Sequence, residues 1–85
     1  MSGGPEEEAR AATLALLDRR RAGATICPSE VARAVAAAAG AADWRGAMAA
    51  VHAAVDSMVA QGLVRLSWKG KAIEAREGPY RIGRG

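Results

Sequence analysis

Apolar positions in this 85-residue chain recur at two different spacings, and the change from one to the other falls at Gly62. Before Gly62 the spacing is helical. Leu14 and Leu17, with Leu16 and Thr13, predict the core stripe of a first helix. Pro5 suits its first turn, and Glu6, Glu7 and Glu8 suit the positive end of its dipole. Arg19, Arg20 and Arg21 are expected to close the same helix at its negative end, with Gly23 as the stop. Ala24, Thr25 and Ile26 read as a short edge strand that pairs with a later hairpin. Pro28 opens a second helix, Ser29 to about Ala38, with Glu30 in its first turn and Val31, Ala34, Val35 and Ala38 on one face. Gly40, Ala41 and Ala42 form a connector, and Asp43 is a good N-cap for a third helix. That helix, Trp44 to Gln61, has the clearest period. Trp44, Met48, Val51, Val55, Met58 and Val59 share a stripe, so its Met and Trp positions are core, and Gly62 caps the end.

Beyond Gly62 the pattern alternates. Val64, Leu66 and Trp68 fall on one side, Arg65 and Ser67 on the other, and Tyr80, Arg81 and Ile82 make a second alternating piece. Two pairings are open. Lys69 and Gly70 can form a tight turn that returns Lys71, Ala72 and Ile73 directly, or residues 69–78 can form a long wing with Tyr80 to Ile82 as the returning strand. Ile73 is too apolar for a solvated loop, which favours a mixture of the two, and Gly78-Pro79 looks like a turn before the last strand. The predicted fold is α+β: a winged helix-turn-helix of three helices, a C-terminal β-hairpin wing and a short edge strand. Residues 1–4 are expected to be a disordered lead-in, and 5–85 the winged-helix domain.

Charge changes the picture of the wing. Residues 1–62 hold six basic and seven acidic side chains, a net of −1. Residues 63–85 hold Arg65, Lys69, Lys71, Arg76, Arg81 and Arg84 against Glu74 and Glu77, a net of +4 within a chain total of +3. A local positive field of this kind suits a polyanion. It also suits an edge strand that must resist aggregation, and the Ala- and Arg-rich composition discounts arginine counts as a sign of a site.

Candidate chemistry is sparse. Cys27 and His52 are the single cysteine and the single histidine, too few for a disulfide or a tetrahedral zinc set. Cys27 just before a helix favours a thiolate, but no third group completes a triad, and no glycine-rich phosphate loop is present. No catalytic residue, metal or cofactor is expected, and an enzyme ranks third among the readings. There is no membrane-length apolar run and no signal-peptide core, so a cytoplasmic protein is the expectation.

In a helix-turn-helix the second helix of the pair reads bases. Here its outward face carries Gly46, Ala49, Ala50, Ala53 and Ser57, with Arg45 and His52 on a flank beside Asp56. Bases are read by Arg, Lys, Asn, Gln or Glu, so direct sequence readout is not expected. The candidate nucleic-acid contacts are therefore those of the wing, Arg65, Lys69, Lys71, Arg76, Arg81 and Arg84, helped by Arg45 and His52. They would act mainly on the phosphate backbone of DNA. The competing expectation is a protein partner or homodimer docked on the wing and the alanine-rich helix face.

The segment Ala24 to Arg33, ATICPSEVAR, together with Asp43-Trp44-Arg45, Met48, Val51, Lys69-Gly70-Lys71 and Gly78-Pro79-Tyr80-Arg81-Ile82, resembles a family of small bacterial proteins. That family is a domain of unknown function with a winged-helix fold, and the resemblance spans about residues 9–85. It implies that Cys27-Pro28-Ser29-Glu30 and Trp44-Arg45 matter to the family and brings no activity with it. The family pattern implies an arginine in the place of His52, so a basic contact there would be weaker in this protein.

Overall fold

Proline and glycine set most of the element boundaries. The computed structural model describes residues 4–85. Its order is α1 (Pro5–Asp18), β1 (Thr25–Ile26), α2 (Pro28–Ala38), a 3-10 turn (Arg45–Ala47), α3 (Met48–Ala60), β2 (Val64–Trp68), β3 (Lys71–Ile73) and β4 (Arg81–Arg84). Of the expected lead-in, residues 1–3 lie outside the described residues; Gly4 is the N-cap of α1, and its carbonyl accepts the Glu8 N–H at 3.1 Å. Pro5 and Pro28 each occupy the first helical position, where the missing N–H costs nothing. Glu30 Oε1 accepts the Cys27 N–H at 2.9 Å, which secures the start of α2.

The end of α3 is a Schellman motif. Gly62 adopts φ +76°, its N–H bonds the Val59 carbonyl at 3.0 Å, and the Leu63 N–H bonds that of Met58 at 2.9 Å. Reversal here directs the chain into the sheet. At the other end, the helix that the sequence runs from Trp44 begins only at Met48. Asp43 Oδ1 accepts the Arg45 N–H at 3.0 Å, at the first residue of the 3-10 turn, while the N-cap of the α-helix is Ala47. The α-helical part is 13 residues, about 20 Å long at 1.5 Å per residue.

The first helix departs from expectation at its end. It stops at Asp18, so the three arginines lie beyond it. Arg20 is drawn instead to Glu30, with Nη2 2.7 Å from Oε2. The cation at the negative end of α1 comes from β4, where Arg84 Nη2 donates to the Leu17 carbonyl at 3.2 Å.

The sheet has the order β1-β4-β2-β3, antiparallel throughout. Both hairpin pairings are present at once: β3 returns directly on β2, and β4 pairs with β2 on its other side. Lys69 (φ 53°) and Gly70 (φ 82°) make the two-residue connection, the paired left-handed conformation that matches the strand twist. Residues 74–80 then run from the β3 edge back to the centre of the sheet.

Three helices and the four-stranded antiparallel sheet share one core, with α3 against β2, α1 against β1 and α2 packed on the other two helices, a mixed α+β arrangement compatible with a winged helix. The α1 stripe is Ala9, Thr13 and Leu17, at i, i+4 and i+8, and the Thr13 hydroxyl donates to the Ala9 carbonyl at 2.8 Å. Leu14 is 41% exposed, one helical position off that stripe. In α2 the buried alanines are Ala32 and Ala36, not Ala34 and Ala38, because α2 is wedged between α1 and α3 and buries a wider arc. In α3, Val51, Ala54, Val55 and Met58 are buried, with Trp44, Met48 and Val59 packed at the margin. Trp68 has the core-facing parity of Val64 and Leu66 but is 38% exposed, because it lies at the turn end of β2 where helix cover gives out.

The two leucines of α1 give the sharpest check on this packing. Urea unfolding of Leu17→Ala should show a loss of about 2–4 kcal/mol, while Leu14→Ala should stay within about 0.5 kcal/mol of the parent.

Candidate functional site

Strand alternation divides the wing's side chains between two faces. Arg65 and Ser67 of β2, Arg81 and Gly83 of β4, Ala72 of β3 and Thr25 of β1 share the face turned away from the helices. A shallow trough of about 280 Å³ opens on this face; its lining includes Thr25, Arg65, Ser67, Ala72, Gly83 and Arg84, but neither Arg81 nor any carboxylate. Arg81 lies flat along this face: Nε donates to Thr25 Oγ1 at 2.9 Å and Nη2 to the Thr25 carbonyl at 3.1 Å. These neutral acceptors fix the guanidinium without cancelling its charge.

The other candidates do not converge there. Arg76 makes a bidentate pair with Asp56 of α3, at 2.7 and 2.8 Å. The hydrogen bonds from Arg76 hold the Asp56 carboxyl below its ordinary value, and the same bonds push Arg76 further up. Arg84 is spent on the end of α1, with Asp18 3.4 Å away. Arg45 reaches Asp43 at 3.5 Å and stacks over Trp44 at 5.0 Å, while Arg33 of α2 lies 4.8 Å from the same ring. Lys71 is paired opposite Trp68 and therefore shares the other face of the sheet. Lys69 stands at the turn between the faces. Among the described residues, Arg65, Lys69, Lys71 and Arg81 are the wing cations without a carboxylate within ion-pair distance.

His52 turns inward rather than toward solvent. Its Nδ1 is 2.7 Å from the hydroxyl of Tyr80, which is only 4% exposed. Burial pushes the Tyr80 hydroxyl up to about 12. Burial also lowers His52, with the nearby Arg76 charge adding to the effect and Asp56 opposing it. In the neutral tautomer with its proton on Nε2, Nδ1 accepts from the Tyr80 O–H; in the charged ring both nitrogens donate and that acceptor is lost. The sequence offered no signal for this bond, which joins residues 28 positions apart.

Cys27 Sγ lies 3.0 Å from Ser29 Oγ. Burial raises the thiol, but hydrogen bonds with Ser29 and the charge of Arg81 outweigh it and leave Cys27 below its ordinary value. Among the described residues no hydrogen bond joins Cys27 to His52, and no group of three His, Cys, Asp or Glu side chains is placed to hold a metal ion. Exposed positions of α3 are Ala49, Ala53, Asp56 and Ala60, a face with no cation on it. No described helix is long and apolar enough to cross a membrane.

A second concavity was not foreseen. Trp68, Ile73, Ala75, Pro79, Glu74 and Glu77 line a cleft of about 550 Å³ on the helix-facing side of the wing. The one hint in the sequence was that both acids of the basic segment lie within four residues of Ile73.

Residues 6–85 match the family described as Protein of unknown function (DUF3253), and the chain belongs to that family. Among curated proteins none matches the chain. The family's coverage takes in every element from α1 to β4.

Because His52 titrates below 6.5 in the folded state, the unfolded chain binds more protons as pH falls through 6.5, and stability falls with it. The Asp56 contribution is lost only at more acid pH, below its ordinary 3.8. Thermal unfolding should therefore give a lower Tm at pH 5.5 than at pH 7.5, and His52→Gln should flatten the difference.

Proposed function

We propose that this member of the DUF3253 family is a cytoplasmic, nucleic-acid-associated winged-helix protein. It binds duplex DNA weakly through phosphate contacts from its wing and performs no catalysis. The observation that carries this reading is the carboxylate-free outer face of the sheet. There Arg65 and Arg81 stand on adjacent strands as diagonal neighbours, opposite Gly83 and Ser67 respectively, with Lys69 at the turn that follows β2, and none of the three is ion-paired among the described residues. Cations without a carboxylate partner lose less on meeting a phosphate than those that must first leave one. The small residues between them, Ser67, Ala72 and Gly83, let a backbone approach the strands closely.

Direct base readout has no support, since α3 presents alanines and Asp56 where base-reading side chains would stand. The competing reading is a protein-interaction module. Its support is the apolar cleft around Trp68 on the opposite side of the wing.

Gel mobility of mixed-sequence duplex across a salt range tests the proposal. Three or four phosphate contacts should give a log–log salt slope of about −2.7 to −3.6. Arg65→Glu with Lys69→Glu should abolish the shift and leave the thermal unfolding curve in place. No shift even at low ionic strength would refute the proposal.

A further inference from the structure

The outer edge of β3 is the open edge of the sheet, since the order ends β2-β3. Trp68 and Lys71 flank the two-residue turn as the first ladder pair, followed by Ser67 with Ala72 and Leu66 with Ile73. In such a hairpin the pair beside the turn exchanges both backbone hydrogen bonds, and the pairs then alternate. Lys71 and Ile73 therefore direct their N–H and C=O groups at β2, while Ala72 directs both of its own outward. No other backbone–backbone hydrogen bond from residues 69–79 appears among the described residues. The opposite edge differs: β1 is two residues long, and its Thr25 carbonyl already accepts from Arg81.

Charge along this edge is ordered. Lys71 precedes Ala72 on the helix-facing side of the sheet, as its pairing with Trp68 requires. Glu74 follows Ile73 and lines the cleft on that same side, with Glu77 beyond it. Neither glutamate has an ion-pair partner among the described residues. A lysine on an edge strand ordinarily repels foreign strands. An antiparallel copy of the same strand is the exception, because reversal of direction sets the cationic end of one against the acidic end of the other.

We propose that the β3 edge is a self-complementary interface, and that its occupant is β3 of a second copy of this chain. A two-fold axis beside Ala72 lets the two Ala72 residues exchange N–H and C=O, which joins the two sheets into one of eight strands. Lys71 of each copy then lies opposite Ile73 of the other, with its ammonium beside the facing Glu74. The stem of that lysine fills the row between Trp68 and the facing Ile73, so the half-exposed indole gains cover. The outer faces of the two sheets become continuous, with the Arg65 and Arg81 of each copy on one face and the two β3 strands between them. The interface is isologous, as closed dimers require.

Light scattering or sedimentation across a concentration series tests this with the full chain. The mass should rise from 8.7 kDa toward twice that value, and exchange protection at the Ala72 amide should rise with it. Ala72→Pro removes only an N–H that faces away from β2, a position where an edge strand tolerates proline. It should leave the monomer folded and suppress the dimer. Should that variant fail to fold, charge exchange carries the test. K71E and E74K singly should each raise the dimer Kd about tenfold, and together should restore it to within about threefold. The Arg65 and Lys69 reversals, off the seam, should leave the mass unchanged. A chain that stays monomeric at millimolar concentration overturns the proposal, and so does a dimer indifferent to both Ala72→Pro and the charge exchange.

Discussion

A single row of side chains across the sheet holds the rest in place. Ile26 faces Ile82, Ile82 faces Leu66, and Leu66 faces Ile73, so four aliphatic residues from four strands lie in register on the face that meets the helices. Ile26 and Ile82 are fully buried and Leu66 nearly so. A slip of one residue in any pair would turn the row to solvent. The row can form only if the last strand enters between β1 and β2, and that requirement sends residues 74–80 from the sheet edge back to its centre. Wing shape, cleft and open edge all follow from that return path.

The same return path decides where charge is available. Arg84 arrives beside the end of α1 and occupies its carbonyls, while Arg76 reaches across to Asp56 on α3. Both arginines belong to the basic segment, yet both act as struts. The cations left over are Arg65 and Arg81, which the ladder points away from the helices, Lys69 on the turn, and Lys71 beside Trp68 on the other face. A segment with a net charge of +4 thus presents a smaller and better ordered positive surface than its composition suggests.

Two contacts, His52 with Tyr80 and Asp56 with Arg76, tie the face of α3 to the wing from positions one helical turn apart. The wing is therefore seated on the helix that a winged-helix domain would present to a groove, and the two cannot reorient independently without breaking them. They also explain the loss of His52 as a surface contact. Its ring serves the core margin, where burial and Arg76 favour the neutral form.

Much of the fold was legible because it rests on local rules. Pro5, Pro28 and Gly62 stand where a missing N–H or a left-handed turn requires them, and Lys69-Gly70 closes a hairpin whose alternation is plain from Val64 onward. The errors lie where local rules are silent. Leu14 and Leu17 look equivalent in sequence, but only the packing of α1 against α2 and α3 separates the buried one from the exposed one. Arg20 looks like a helix cap until Glu30, ten residues on, supplies a carboxylate. The sequence by itself determined the order of the elements, the strand alternation and the concentration of positive charge in the last third. Only the tertiary structure decided which of those charges stay unpaired, because their partners lie 20 to 67 residues away. Contacts at that separation are set by packing of the whole core, not by spacing along the chain.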